Sequence, residues 1–179
     1  MKTRTIRSTT ILGVRVGKKI ALGGDGQVTM GDMKMKSKAI KVRSFCDGKI
    51  LAGFAGAVAD AMALFEKFEA KLTEVNGNLQ KAVVEMAKDW RTDKVLKELD
   101  ALLAIMDTKS AYLLSGSGDV IEPDDQVISI GSGSGYAVAA ARAYLDAGEK
   151  RPTVIVKNAM KITAELCIYT NNNITILEA

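Results

Sequence analysis

Hydrophobic residues near the start of the chain follow the period of β-strands. Residues 10–16 and 19–22 are rich in β-branched side chains and flank a Gly-Lys dipeptide, which predicts a hairpin. Asp47-Gly48 separates two further strand-like runs, residues 39–45 and 49–55, and Asp-Gly is a strong signal for a tight turn. Two hairpins are therefore predicted in the first third of the chain.

The hydrophobic period then changes to that of α-helices. Apolar residues from Val58 to Leu72 recur every three or four positions, which predicts an amphipathic helix ending near Asn76-Gly77. The same spacing between Leu79 and Trp90 predicts a second helix. Later patterns predict strands at residues 102–106, 111–115 and 127–130, helices at 136–146 and 153–166, and closing strands within 167–177 around an Asn171-Asn172-Asn173 turn.

The order of these elements predicts the fold class. Strands occur in hairpin-linked blocks and helices occur in pairs, whereas a Rossmann sheet needs strands and helices that alternate. We therefore expect an α+β fold with antiparallel sheets in layers. A chain of 179 residues without a linker or repeat fits one domain with a substantial core.

Composition narrows the chemistry chiefly through the absence of histidine. Without it, Ser-His-Asp and Cys-His catalysis are excluded, and the base of an enzyme must be a carboxylate, a lysine or the α-amino group. Cys46 and Cys167 form no C-x-x-C pair, so neither a disulfide nor a zinc site is predicted.

Charge and hydropathy exclude two classes of partner. The net charge of +4 is spread along the chain without interleaved aromatic residues, which does not favour nucleic-acid binding. No apolar run has the length of a membrane span. Residues 1–8 are basic but lack the apolar core of a secretory signal, so we expect a cytoplasmic protein.

Two glycine-rich segments resemble phosphate-binding loops only superficially. The segment at residues 23–27 follows a strand, but no G-K-[ST] occurs in the chain. Residues 131–135 read G-x-G-x-G before a helix, but they lack the third glycine spacing and a βαβ context. These glycines either serve turns and close packing or present backbone N–H groups to a site.

Three polar residues stay ambiguous on their own. Asp25 lies between glycines at the end of a strand, where a structural turn aspartate is common. Lys41 lies within a predicted strand, where a lone lysine is usually solvated. An inward-pointing Asp–Lys pair across adjacent strands would be a different case, because unpaired buried charges are costly. Thr9 precedes the first strand and is unmarked unless cleavage makes it the N-terminus.

An N-terminal threonine would supply a catalytic base without histidine. Its α-amino group has an ordinary pKa of about 7.7–8.0, so it can act as a base near neutral pH. Nucleophile and base then belong to one residue. A nearby lysine would lower the pKa of the amine by like-charge repulsion, and Asp25 would hold that lysine in place.

The chain resembles the HslV (ClpQ) family of bacterial proteasome-like peptidases, which act with the HslU (ClpY) ATPase. The resemblance covers residues 9–178 and is specific because several short motifs keep their order and spacing. These motifs are Thr9-Thr10-Ile11-Leu12, Gly24-Asp25-Gly26-Gln27-Val28-Thr29, Gly53-Phe54-Ala55-Gly56, Lys88-Asp89-Trp90-Arg91-Thr92-Asp93, Ile130-Gly131-Ser132-Gly133 and Cys167-Ile168-Tyr169-Thr170-Asn171.

The resemblance implies an N-terminal-nucleophile hydrolase, a four-layer αββα sandwich spanning residues 9–179, with residues 1–8 removed as a prosegment. It assigns Thr9 as nucleophile, Asp25 and Lys41 as supporting residues, Ser132 near the amine, and Gly53 as the oxyanion N–H donor. It also implies a monovalent cation, typically sodium, on backbone carbonyls. The implied carbonyls belong to Ala164, Cys167 and Thr170, although many relatives have glycine where Ala164 stands.

The same resemblance implies two stacked hexameric rings, AAA+ ATPase rings of the HslU type at both ends, and unfolded polypeptides as substrates. No nucleotide is expected on this chain itself. Two other classes stay open: a non-catalytic ring subunit, and a small-molecule amidohydrolase on the same fold.

Overall fold

The structure, a computed structural model, describes residues 9–93 and 101–179. The strands are β1 Thr10–Val16, β2 Lys19–Asp25, β3 Val28–Met30, β4 Met33–Lys36, β5 Val42–Phe45, β6 Ile50–Gly56, β7 Ala101–Met106, β8 Ala111–Ser115, β9 Val120–Ile121, β10 Val127–Gly131 and β11 Ile174–Glu178. The helices are α1 Val58–Glu74, α2 Leu79–Thr92, α3 Ser134–Asp146 and α4 Pro152–Leu166.

Two antiparallel sheets form the centre of the molecule. One has the strand order β10-β1-β2-β11 and the other β5-β6-β7-β8-β9, while β3 and β4 pair separately. Side chains on the facing surfaces of the sheets form one buried cluster that includes Ile11, Leu51 and Ile128. The two sheets are therefore stacked face to face.

Each sheet carries a helix pair on its outer face. α1 and α2 bury aromatic residues such as Phe68 and Trp90 against the five-stranded sheet. α3 and α4 cover the four-stranded sheet through residues such as Ile155 and Met160. Burying one such side chain contributes about 1.5–3 kcal/mol, so both helix pairs are firmly attached. The predicted α+β, four-layer αββα sandwich is confirmed.

The predicted hairpins form where their turn residues allow them. Gly17, at φ +61°, joins β1 to β2. Asp47 and Gly48 also have positive φ in the turn between β5 and β6. Because these turns fix the register, Ile11 pairs with Gly24 in one hairpin and Val42 pairs with Gly53 in the other.

Three segments differ from the predicted pattern. Residues 28–36, where no strand is predicted, form the small β3–β4 hairpin, whose second strand is exposed along its length and so lacks an apolar face. β5 begins at Val42, so Lys41 precedes the strand instead of lying within it. Residues 167–173 form a turn because Thr170 N–H donates back to the Cys167 carbonyl, 3.0 Å away. Of the closing strands predicted within residues 167–177, the described chain contains β11, which begins at Ile174.

Candidate active site

Thr9 lies directly before β1, at the edge where β10 ends. Its carbonyl accepts a hydrogen bond from the Ser132 N–H, 2.9 Å away, while Thr10 pairs with Gly131. Thr9 is buried and Ser132 is exposed. The structure thus brings the predicted residues Thr9 and Ser132 together, through the backbone of the serine. The predicted prosegment, residues 1–8, lies outside the described residues.

Gly131 makes this close approach possible. Its φ of +93° is a backbone angle that residues with a side chain rarely adopt, and a Cβ at this position would clash with the Thr9 carbonyl oxygen. The same Cβ would lie 3.4 Å from Ala55 of β6. The carboxyl ends of β6 and β10 therefore meet beside Thr9, and the glycine-rich segment serves close packing there.

Asp25 and Lys41 form a buried ion pair. Lys41 Nζ lies 3.0 Å from Asp25 Oδ1, and the side chains are 1% and 0% exposed. The ammonium also donates to the Gln27 carbonyl at 2.5 Å. Burial lowers the pKa of Lys41 from its ordinary value, and the Asp25 carboxylate opposes that shift. The inward Asp–Lys alternative is the one that the structure contains.

The Asp25 carboxylate is held by backbone donors as well. Oδ1 accepts the Thr10 N–H at 2.8 Å, and Oδ2 accepts the N–H groups of Gln27 at 2.9 Å and Asn171 at 3.3 Å. Lys41 and Thr10 therefore share one oxygen. This sharing places the lysine ammonium beside the Thr9–Thr10 peptide.

Gly53 is not placed as an oxyanion donor requires. It lies in the middle of β6, between Val42 of β5 and Ala104 of β7. Phe54 N–H donates to the Lys41 carbonyl, 3.1 Å away. N–H groups alternate sides along an antiparallel strand, so the Gly53 N–H points to β7.

Packing gives Gly53 a different role. A Cβ here would lie 2.6 Å from Cγ2 of Ile11, so the glycine lets β6 pack closely against β1. The geometry therefore speaks against the predicted oxyanion role of Gly53 and for a role in stacking the two sheets.

The carbonyls predicted to bind a cation lie where α4 ends. Cys167 N–H bonds to the Thr163 carbonyl, 2.8 Å away, and closes the helix. The last carbonyls of a helix have no intrahelical donor and carry partial negative charge, which suits a hard monovalent cation. Ala164 supplies such an oxygen, whereas the Cys167 and Thr170 carbonyls follow the end of the helix, and the Cys167 oxygen also accepts the Thr170 N–H. The replacement of glycine by alanine at position 164 removes no backbone oxygen. Backbone oxygens are chemically suitable ligands for a hard monovalent cation, and the sodium site at these residues stays a prediction.

Several residues at the site carry no signal on their own in the sequence. The Thr10 hydroxyl lies 2.7 Å from that of Thr170 and accepts the Gly133 N–H at 3.1 Å. Gln27 Nε2 donates to the Ile168 carbonyl at 2.8 Å. Gln27 and Asn171 do stand in motifs that carry the family resemblance, which was the available signal. Together they tie the turn after α4 to the Asp25–Lys41 pair.

Two kinds of feature, a side-chain metal cluster and a membrane-spanning helix, are absent from residues 9–93 and 101–179. Within these ranges no three or more histidine, cysteine, aspartate or glutamate side chains cluster as a metal site would require. Likewise, none of the helices described there is both long and apolar enough to cross a membrane.

Comparison with known proteins places the chain among relatives. The model of the proteasome subunit family matches residues 6–179. An ATP-dependent protease subunit HslV from Caldicellulosiruptor saccharolyticus is 54% identical over 172 residues, which cover 96% of this chain and 98% of the relative. The crystal structure of eukaryotic HslV from Trypanosoma brucei superposes with a TM-score of 0.89 at 40% identity and covers 94% of this chain and 98% of that chain. The chain therefore belongs to the proteasome subunit family, among its HslV members.

Proposed function

We propose that this chain is the threonine-type endopeptidase subunit of an ATP-dependent protease, with Thr9 as its nucleophile. The observation that carries the proposal is the oxygen shared by Lys41 and the Thr10 N–H on Asp25, directly beside Thr9. Family membership and the similarity to an ATP-dependent protease subunit support the same activity.

Activation requires cleavage of the Ser8–Thr9 peptide bond. This cleavage releases the Thr9 α-amine, which the peptide bond to Ser8 otherwise holds as an amide. A free amine has a pKa of about 7.7–8.0, and a neighbouring lysine ammonium lowers it because two like charges repel. The amine is then largely unprotonated near neutral pH and serves as the base.

Catalysis then proceeds through an acyl-enzyme. The amine accepts the proton of the Thr9 hydroxyl while Oγ1 bonds to the substrate carbonyl carbon. Collapse of the tetrahedral intermediate breaks the C–N bond, and the leaving amine takes up that proton. Water next attacks the ester, again with the Thr9 amine as base, and releases the acid and free Thr9. The exposed Ser132 hydroxyl is proposed to orient the amine.

The oxyanion is better served by Gly56 than by Gly53. N–H groups alternate sides along β6. The Gly53 N–H points to β7, so the Gly56 N–H points to the opposite side of the strand, toward the segment that contains Lys41. Gly56 ends β6 at φ +142°, a conformation that favours glycine, and lies beyond the last residue of the β5 pairing. A backbone N–H that faces the reacting carbonyl would stabilise its negative charge.

A sodium ion on the carbonyls of Ala164, Cys167 and Thr170 would neutralise the end of α4 and fix the turn that follows. Thr170 bonds to Thr10, so this turn supports the start of β1. We expect sodium to raise the thermal unfolding temperature more than the same concentration of choline does. Equal unfolding temperatures in the two salts would contradict this site.

The proposed assembly is two stacked hexameric rings that enclose the active sites, with HslU-type ATPase rings delivering unfolded polypeptides in the cytoplasm. The name of the 54% identical relative, an ATP-dependent protease subunit, supports an ATPase partner. Enclosure would restrict an enzyme of broad preference to chains that the ATPase has unfolded. We expect neither nucleic acid nor a membrane as a partner.

Matched variants test the proposal. Thr9→Ala should assemble like the unmodified protein but lose peptide hydrolysis, whereas Thr9→Ser keeps a hydroxyl and should retain measurable turnover. A non-catalytic ring subunit would show no turnover in any form. An amidohydrolase would cleave small acyl amides and leave unfolded polypeptides intact. Undiminished peptide hydrolysis by Thr9→Ala would contradict the assignment.

A further inference from the structure

One side chain in the turn after α4 joins three separate segments of the site. Asn171 Nδ2 donates to the Ser37 carbonyl at 3.0 Å, and Oδ1 accepts the Gly26 N–H at 3.2 Å. The Asn171 backbone N–H donates to Asp25 Oδ2 at 3.3 Å. Both polar atoms of this side-chain amide therefore bond to segments that lie more than 130 residues away in sequence.

The Ser37 carbonyl is held from two sides. Asn173 Nδ2 donates to the same oxygen at 2.8 Å, and the Asn173 N–H donates to Asn171 Oδ1 at 3.1 Å. Ala39 N–H bonds to the Gly26 carbonyl, 2.9 Å away. A Cβ on Gly26 would lie 2.5 Å from the Ser37 oxygen, so the two segments are in direct contact. Residues 37–39 are thus fixed between Gly26 and the asparagine turn.

This contact decides where Lys41 lies. The lysine precedes β5 and follows the exposed β4, so regular strand pairing fixes only one side of its segment. Its backbone is held toward β6 by the Phe54 N–H. On the other side, the hydrogen bonds to Ser37 and Ala39 set the path of the chain. A long lysine side chain loses substantial rotamer entropy on burial, so its placement depends on such anchoring.

We propose that Asn171, assisted by Asn173, is a positioning residue that clamps residues 37–39 onto Gly26 and thereby holds the Lys41 ammonium on Asp25. The side chain is bonded to the Lys41 segment and to Gly26, so it acts through Lys41. The inference rests on the proposed threonine-peptidase function. It predicts that the turn after α4 controls catalysis through hydrogen bonds, whether or not a cation occupies that turn.

Loosening the clamp should alter the pH profile as well as the rate. If Lys41 moves away from Thr9, the repulsion that lowers the pKa of the Thr9 amine weakens. The pKa of the amine then rises, and the acid limb of the kcat profile moves to higher pH. If Lys41 also loses its contact with Asp25 while it stays buried, its own pKa falls, and the alkaline limb moves to lower pH. A purely structural loss of active molecules would lower the profile without shifting either limb.

The experiment compares alanine variants at the three consecutive asparagines in the assembled, ATPase-activated protease with a fluorogenic peptide. Asn171→Ala should lower kcat about 10- to 100-fold with KM within twofold, because small misplacements of catalytic groups have effects of that size. Its pH profile should narrow. Asn173→Ala should shift the limbs in the same direction by less. Asn172 is exposed, and its side chain makes no hydrogen bond within the described part of the chain, so Asn172→Ala should match the unmodified protein.

The outcomes separate this inference from the proposed function. Suppose that the unmodified protein hydrolyses the peptide through Thr9 and that Asn171→Ala has the same kcat and the same pH limbs. This result would overturn the clamp and leave the proposed peptidase function intact. Absence of Thr9-dependent hydrolysis would overturn both. If Asn171→Ala does not assemble, the exposed Asn173→Ala decides: shifted limbs support the clamp, and unshifted limbs overturn it.

Discussion

Lys41 donates to Asp25 across 3.0 Å at a place that solvent does not reach. Removing one member of a buried ion pair leaves the other charge without compensation, which destabilises a protein by about 3–5 kcal/mol. Because Thr10 donates to the same carboxylate, the pair also shapes the start of β1. The same two side chains therefore affect stability and, in the proposed mechanism, catalysis, and variants can separate the two effects.

Asp25→Asn should destabilise the protein more at pH 6 than at pH 9. Burial lowers the pKa of Lys41 and Asp25 opposes that shift, so the pKa falls further when the carboxylate is lost. The folded state then binds fewer protons than the unfolded state up to the ordinary lysine pKa of about 10.4, and its stability increases with pH in this window. Denaturant titrations from pH 6 to 9 should show the deficit of Asp25→Asn shrinking as pH rises. A deficit that grows with pH would contradict a charged, buried lysine.

The double variant Asp25→Asn with Lys41→Met should recover stability but not activity. Neutral side chains of similar size remove both buried charges, and such replacements are often close to neutral in stability. Peptide hydrolysis should stay about 10²- to 10⁴-fold below that of the unmodified protein, since proton transfer by the Thr9 amine depends on Lys41. Recovery of both properties would show that the pair is only structural. Unfolding curves and turnover on the same preparations make this comparison.

Gly131→Ala and Gly135→Ala form a matched pair of variants four residues apart. Gly131 has φ +93°, and a Cβ there would strike the Thr9 carbonyl, so we expect a loss of stability of about 1–3 kcal/mol and displacement of Thr9. Gly135 lies in the first turn of α3 with open space around it, and alanine is favoured in helices by up to about 1 kcal/mol. The thermal unfolding temperature and the rate of peptide hydrolysis should therefore fall only in Gly131→Ala. Equal effects at both positions would contradict the close approach.

Local chemistry made much of the fold predictable. The turn residues Gly17 and Asp47-Gly48 fix the two early hairpins, and the apolar period around Phe68 and Trp90 marks the first helix pair. The β3–β4 hairpin was not predictable, because its exposed Met-Lys alternation presents no buried face. Residues 167–170 are predicted to be extended ahead of the asparagine turn, because their β-branched and aromatic residues favour strands, but they belong to the turn that follows α4.

The site was less predictable from residues alone. Nothing local marks Thr9, and the role of Asp25 depends on partners such as Asn171 that lie 146 positions away. The missing histidine favours a Thr9 amine supported by a lysine and Asp25, but only the family resemblance assigns Thr9, Asp25 and Lys41 as one site. It also suggested Gly53 as the oxyanion donor, whereas strand register directs that N–H into the sheet. Register is a property of the folded chain, so the sequence could not reveal this difference.

The most direct test is mass spectrometry of the purified, assembled protein before and after treatment with a peptide vinyl sulfone, which traps catalytic nucleophiles. The account predicts that active protein begins at Thr9 and that the N-terminal Thr9 peptide carries the adduct, while Thr9→Ala takes none. Full peptide hydrolysis by protein that retains residues 1–8, or an adduct on any other residue with Thr9 unmodified, would contradict it.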